Sequence, residues 1–259
     1  VKVAWATLPG ADQCYDRVFV TDDAVVVLDG ASAFTPDSAP PSQYVDTLGE
    51  CLATDLAQAP EPLAQVLAGC IARTAAQLDL RPGASPSSTV AIVRTCDDGT
   101  ADLLVLGDCQ ITTPLGTYRD DRIRHVALAQ RAAYRERLSA GHGYDHTHQG
   151  MLRDLQAEEA RHRNTPHGFW IAEADHTAAA HAVTTHLPAV AWLVVATDGA
   201  YRPMQHLHRD DWANLATATS DDLATLLADL HRWETDTDPT GYLRPRAKQH
   251  DDKTLAVVT

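Results

Sequence analysis

The sequence is short of several things, and each shortage narrows what the protein can be. No apolar run approaches the roughly 20 residues that a membrane-spanning helix needs; the longest extends from Ala189 to Ala196. Basic residues are outnumbered, 21 Lys and Arg against 35 Asp and Glu, for a formal net charge of −14. A nucleic-acid or anionic-membrane partner would call for a basic face, so neither is expected. The five cysteines (Cys14, Cys51, Cys70, Cys96 and Cys109) are odd in number and contain no C-x-x-C pair. They are expected to be reduced, mostly buried thiols in a cytoplasmic protein. The opening residues Val1-Lys2-Val3-Ala4-Trp5 do not form a secretory signal. Neither an internal repeat nor a Pro/Gly/Ser linker divides the 259 residues, so a single domain over 1–259 is expected.

What is present begins with short Val-rich runs that read as buried strands. Arg17-Val18-Phe19-Val20, a turn at Thr21-Asp22-Asp23 and Ala24 to Leu28 form a hairpin. A Pro/Ser/Ala loop from Ala33 to Pro41 follows, then two amphipathic helices. Val45, Leu48, Leu52 and Leu56 share a face of the first, and Leu63, Val66, Leu67, Cys70, Ile71 and Leu78 a face of the second. Pro60 and Pro62 punctuate the second helix's start. Residues 88–113 read as a second hairpin around Asp97-Asp98-Gly99. Residues 127–163 read as polar helix interrupted by Gly141-His142-Gly143. Ala189 to Thr197 is the most apolar strand, Ser220 caps a helix, and Thr254 to Val258 is the last strand. Hairpin-linked strands with separate helices point to α+β rather than a doubly wound parallel sheet.

Three of the strand runs end in an acidic residue. Val25 to Leu28 leads into Asp29-Gly30, Trp192 to Thr197 leads into Asp198-Gly199, and Asp251-Asp252 directly precedes the final strand. Either Asp-Gly, taken singly, also suits a turn. If the three converge, they form a hard oxygen cage for Mg²⁺ or Mn²⁺, which points to metal-assisted chemistry on phosphate. Two carboxylates about 4 Å apart repel by roughly 4 kcal/mol at an effective dielectric of about 20, so such a cage requires cations or protons.

In order along the chain stand Tyr15-Asp16-Arg17, Val27-Leu28-Asp29-Gly30, Ser88-Thr89-Val90-Ala91, Leu106-Gly107-Asp108-Cys109, Ala196-Thr197-Asp198-Gly199 and Asp251-Asp252-Lys253-Thr254. This succession resembles the metal-dependent serine/threonine protein phosphatases of the type 2C family, over nearly the whole chain. The resemblance implies a four-layer α-β-β-α sandwich of two antiparallel sheets flanked by helices, with two or three Mg²⁺ or Mn²⁺ ions at one end. It implies that Asp29 bridges two metals, that the Gly30 carbonyl binds the second, and that Asp198 and Asp251 complete the first. Asp16 would hold a metal-bound water, and Asp108 would form a third, looser site with Asp198. Asp16, Asp29 and Asp198 are then the residues on which catalysis depends. A variable flap beside the site would fall in the insert at about 127–168.

The chain also departs from that pattern. The family's phosphate-clamping Arg would fall at Ala11, and Ala31-Ser32 follows Gly30 where eukaryotic members carry a His. Strand alternation points Arg17 away from Asp16. The basic stretch Arg161-His162-Arg163-Asn164 reads either as a solvated helix end or as the source of the cation missing at Ala11. The His-rich stretch from His142 to His148 reads as a mobile, solvated loop rather than a soft-metal site, because no cysteine accompanies it. The expected function is hydrolysis of phosphoserine or phosphothreonine in proteins. The alternatives are a phosphatase of a small phosphorylated metabolite and a non-catalytic binding or regulatory module.

Overall fold

The computed structural model describes residues 1–31, 39–58 and 61–259. Most of the expected Ala33–Pro41 loop, Ser32 and Pro60 lie outside the described residues.

Two five-stranded antiparallel sheets face each other. The first has the order β1 (Val3–Leu8), β10 (Lys253–Val258), β9 (Leu193–Ala196), β6 (Gln110–Thr113), β7 (Gly116–Arg119). The second has the order β2 (Arg17–Val20), β3 (Ala24–Ala31), β4 (Ser87–Thr95), β5 (Ala101–Leu106), β8 (Val183–Leu187). Helices α1 (Pro41–Leu56) and α2 (Leu63–Gln77) cover the outer face of the second sheet. Helices α5 (Asp198–His206) and α7 (Ser220–Asp236) cover the outer face of the first. This is the four-layer sandwich expected from the sequence.

Alternation along the strands explains why the apolar runs are continuous. Val25 and Val27 of β3 pack between the sheets with Val93, Val105, Val195 and Ala256, while Val26 and Leu28 pack against α1 and α2. In β10, Ala256 and Val258 face the other sheet while Leu255 and Val257 face α5 and α7. Over Ala24–Leu28 and Leu255–Val258 both faces are dry, so these runs carry no polar residue. The same period-2 rule puts Asp29 on the side of Val25 and Val27, at the end of the core between the sheets.

Several local expectations shift. The most apolar strand is shorter than Ala189–Thr197, and Leu78 sits just past the end of α2. Residues 88–113 are not one hairpin. The β4–β5 hairpin turns at Asp97–Gly99, where the Cys96 carbonyl accepts from Gly99 N–H, but β6 then crosses into the other sheet. The cap of α7 is Thr219 rather than Ser220. Thr219 Oγ1 accepts from Asp222 N–H and the Asp222 carboxylate accepts from Thr219 N–H, a reciprocal pair that satisfies two otherwise free donors. Ser220 Oγ instead accepts from Trp5 N–H of β1 at 3.1 Å. Of the five thiols only Cys70 and Cys109 are buried, although all five are free.

The polar helical stretch resolves into α3 (Leu128–Ser139) and α4 (His146–His162) with a small core of their own, Tyr134, Leu138 and Leu155. The His-rich segment is not a loose loop. Asp145 caps α4, and His148 is buried edge-on to Tyr134 and Tyr144, with Nε2 2.7 Å from the Ala247 carbonyl. Among the described residues, no helix is long and apolar enough to cross a membrane.

Candidate metal centre

At the end of the sandwich where β3, β5, β9 and β10 meet, a cleft of about 770 Å³ opens under α3 and α4. Asp29, Asp108, Asp198 and Asp251 all line it. Each arrives by a different local route. Asp29 ends the buried part of β3, Asp108 lies in the turn that carries the chain from one sheet to the other, Asp198 opens α5, and Asp251 precedes β10. Gly199 lets the start of α5 come down on the last loop; a Cβ there would meet the Asp252 carbonyl oxygen at 1.9 Å. Gly30 is also a close approach, since a Cβ would lie 2.8 Å from Val45 of α1 and 2.9 Å from Tyr15. Gly30 itself is not on the cleft wall; its N–H donates to the Tyr15 carbonyl at 3.2 Å.

Asp16 lies behind the wall, 2% exposed. Its Oδ2 accepts from Thr197 Oγ1 at 2.9 Å and from Thr254 Oγ1 at 2.7 Å. Thr197 in turn accepts from Thr254 N–H at 2.9 Å, so the residues before Asp198 and after Asp251 are tied to each other and to Asp16. Asp16 Oδ1 is buried with no hydrogen-bond partner. A carboxylate oxygen left bare in this way costs free energy unless a cation or a bound water satisfies it.

Electrostatics report the same convergence. Burial, and then the charges of Asp16, Asp198, Asp251 and Asp108 in that order, push the Asp29 carboxyl well above the usual range. Burial, with Asp252 and Asp251 adding to it, raises Asp16 to about 8 against the pull of the two threonine hydrogen bonds. Burial and Asp198 raise Asp108 to about 6, opposed by Arg202. The cluster carries more negative charge than its neighbours offset, and its oxygen-only donor set suits a hard divalent cation.

Protein cations offset part of the deficit. Arg202 of α5 spans two aspartates, with Nη2 2.6 Å from Asp108 and Nη1 2.8 Å from Asp198. This is the pair that the family resemblance assigns to a third ion, and a guanidinium stands there instead. Lys248 Nζ lies 2.7 Å from Asp251. Asp252, the other member of the acidic pair, turns away and accepts from Gly10 N–H at 2.8 Å and Tyr15 N–H at 2.7 Å, anchoring the loop that leads to Asp16.

Sequence reasoning missed Arg202, Lys248 and the two threonines. Only the threonines offered a signal, Thr197 directly before Asp198 and Thr254 three residues after Asp251. Arg17 is not paired with the Asp16 carboxylate: its Nε donates to Asp46 of α1 at 2.6 Å and its Nη1 to the backbone carbonyls of Cys14 and Asp16 at 2.8 and 2.9 Å. Arg161 is exposed and pairs with Glu158, and Arg163 is buried with Nη1 toward the Ser85 carbonyl; neither lines the cleft. Arg135 of α3 does line it, and is exposed. Arg124, Arg131, Arg202, Arg244, Arg246 and Lys248 also line it, each ion-paired with a carboxylate. Among the described cleft residues, Arg135 is the Arg or Lys without a carboxylate partner, its guanidinium 5.8 Å over the Tyr134 ring.

No protein-family model matches the sequence, and no curated protein matches it. Solved structures do match, over nearly the full length. The PPM Ser-Thr phosphatase MsPP from Mycobacterium smegmatis aligns over 99% of this chain and 97% of its own, with a TM-score of 0.55 at 13% identity. The catalytic domain of the serine/threonine protein phosphatase PstP, solved with two manganese ions, aligns over 99% and 96%, with a TM-score of 0.55 at 14% identity. The photosystem II phosphatase PBCP aligns over 99% and 97%, with a TM-score of 0.56 at 12% identity. At such identities the likeness establishes the fold, and the fold is that of the PPM Ser/Thr phosphatases.

Proposed function

We propose that the protein is a Mg²⁺- or Mn²⁺-dependent phosphomonoester hydrolase acting on phosphoserine or phosphothreonine in proteins. The observation that carries this reading is the cluster of Asp29, Asp108, Asp198 and Asp251 around one cleft, with the bare Oδ1 of buried Asp16 behind it. Asp29, Asp198 and Asp251 would hold two ions. Two divalent ions in such a cage make hydroxide available near neutral pH and stabilise charge during in-line displacement at phosphorus.

The remaining steps belong to the chain. Asp16, fixed by Thr197 and Thr254, has one oxygen free to accept a hydrogen bond from a water and aim it. Arg202 offsets the negative charge of Asp108 and Asp198 and replaces a third ion. Arg135, on the wall formed by α3, is the cation available to a substrate phosphate in place of the arginine absent at Ala11. The insert at 127–168, as a flap within one domain, provides the outer wall on which a peptide would lie.

Hydrolysis of a phosphoserine peptide and of a small sugar phosphate, each with and without Mn²⁺, tests this. Mn²⁺-dependent release of phosphate from the peptide is expected. Release from the sugar phosphate alone would favour the metabolite reading, to which the missing clamp at Ala11 lends support. Absence of turnover on both would leave a binding module on this fold.

A further inference from the structure

On the far side of the second sheet, α1 and α2 bring together a group that the candidate metal centre does not use. Cys51 Sγ, Cys70 Sγ and a carboxylate oxygen of Asp55 all lie within 4.8 Å of one another. Arg73, one turn beyond Cys70 on α2, spans them. Its Nε and Nη2 donate to Cys51 Sγ at 3.3 and 3.1 Å, its Nη2 also approaches Cys70 Sγ at 3.3 Å, and it pairs with Asp55. Cys51 and Asp55 are half-buried, Cys70 is buried, and the Arg73 side chain is 54% exposed.

Two sulfurs and a carboxylate could in principle hold a soft metal. Here the Arg73 guanidinium occupies the position a cation would take, so the group is arranged for a thiolate instead. We propose that Cys51 and Cys70 form a peroxide-sensitive dithiol that closes to a disulfide joining α1 to α2. The hydrogen bond with Cys70, and then those from Arg73, lower the Cys51 thiol to about 6, while Cys70 is pushed up and keeps its proton. Near neutral pH Cys51 is therefore the nucleophile and Cys70 the resolving thiol.

The chemistry balances with a hydroperoxide as the oxidant. The Cys51 thiolate attacks the peroxide; an S–O bond forms, the O–O bond breaks, and the departing oxygen takes a proton to leave as water or an alcohol. The Cys51 sulfenic acid then condenses with the Cys70 thiol. An S–S bond forms, the S–O bond breaks, and water leaves with the Cys70 proton. The two electrons lost by the sulfur pair reduce the peroxide. Arg73, largely in solvent, can swing aside as the sulfurs meet. The bond would brace α1, whose Val45 packs on Gly30 and whose Asp46 holds Arg17.

The test is peroxide treatment of the folded full chain, a rapid alkylating quench under denaturing conditions, and peptide mass mapping. A linked Cys51–Cys70 peptide should be the main product, with Cys14, Cys96 and Cys109 alkylated. At pH 7 a thiol of this acidity carries about thirtyfold more thiolate than free cysteine, offset by about tenfold lower nucleophilicity, so Cys51 should react about two- to threefold faster than free cysteine in the same solution. Arg73→Ala should remove part of that advantage and leave the part due to the Cys70 hydrogen bond. In Cys70→Ser, a dimedone adduct should accumulate at Cys51. First oxidation at Cys96, or a persistent Cys51 sulfenic acid beside a free Cys70 thiol in the wild-type chain, would overturn the proposal.

Discussion

Arg202 lies one helical turn beyond Asp198 on α5 and reaches back to it, Nη1 to Oδ2 at 2.8 Å, while its other nitrogen holds Asp108 at 2.6 Å. Removing it leaves two repelling carboxylates. Arg202→Ala should therefore destabilise the metal-free protein by about 2 kcal/mol, the worth of a charged hydrogen bond. It should also raise the Mn²⁺ bound at saturation by one equivalent. Denaturation in chelator and metal analysis of the loaded protein check the two halves; unchanged stoichiometry would contradict the replacement of an ion by the guanidinium.

The raised carboxyls give a pH dependence of definite sign. Asp16, raised to about 8, and Asp108, raised to about 6, bind protons more tightly in the folded chain than in the unfolded one. Their contribution is complete at pH values below the ordinary carboxylate range and is lost as pH rises through the folded values. The Tm of the chelator-treated protein should thus fall between about pH 5 and about pH 8.5. Saturating Mn²⁺ should flatten that fall. A metal-free Tm that rises over this interval would contradict the electrostatic picture.

Arg135 lines the cleft without a carboxylate partner, while Arg161 pairs with Glu158 away from it. Arg135→Ala should raise KM for a phosphopeptide by about five- to tenfold with little change in kcat, as expected when a binding contact is lost. Arg161→Ala should leave KM unaltered. Steady-state kinetics on the two variants separate them, and the opposite ranking would return the clamp to Arg161.

His148 fastens the insert to the segment carrying Lys248, through its 2.7 Å contact with the Ala247 carbonyl. His148→Ala should cost about 1–3 kcal/mol in denaturant unfolding. His142→Ala and His146→Ala, both at exposed positions, should cost little, and none of the three should alter bound Mn²⁺.

The architecture was legible where burial on both faces made strands continuous, as in Val25–Leu28, Leu193–Ala196 and Thr254–Val258. The same runs pointed to Asp29, Asp198 and Asp251, because a polar residue that closes a dry strand stands at the core's edge. Apart from Arg17–Val20, the edge strands were not legible. Gly116–Arg119 and Val183–Leu187 are short and partly exposed, so their sequences carry no buried run. The partners of the aspartates were equally hidden. Asp16 meets Thr254 from 238 residues away, and Arg202 meets Asp108 across 94, contacts that only the packing of the two sheets creates. Lys253 illustrates the limit: it is fully buried, paired at 2.9 Å with Glu234 of α7, yet in the sequence it looks like a surface lysine.

The central claim is that these aspartates form a two-ion centre, and a calorimetric titration of the metal-free protein with Mn²⁺, run beside Asp29→Asn, tests it most directly. Two equivalents should bind to the wild-type chain. Asp29→Asn should lose that binding, stay folded and gain slightly in metal-free stability, because a buried carboxyl that is driven to take up a proton is gone. No Mn²⁺ bound by the wild-type chain, or the same binding in Asp29→Asn, would contradict it.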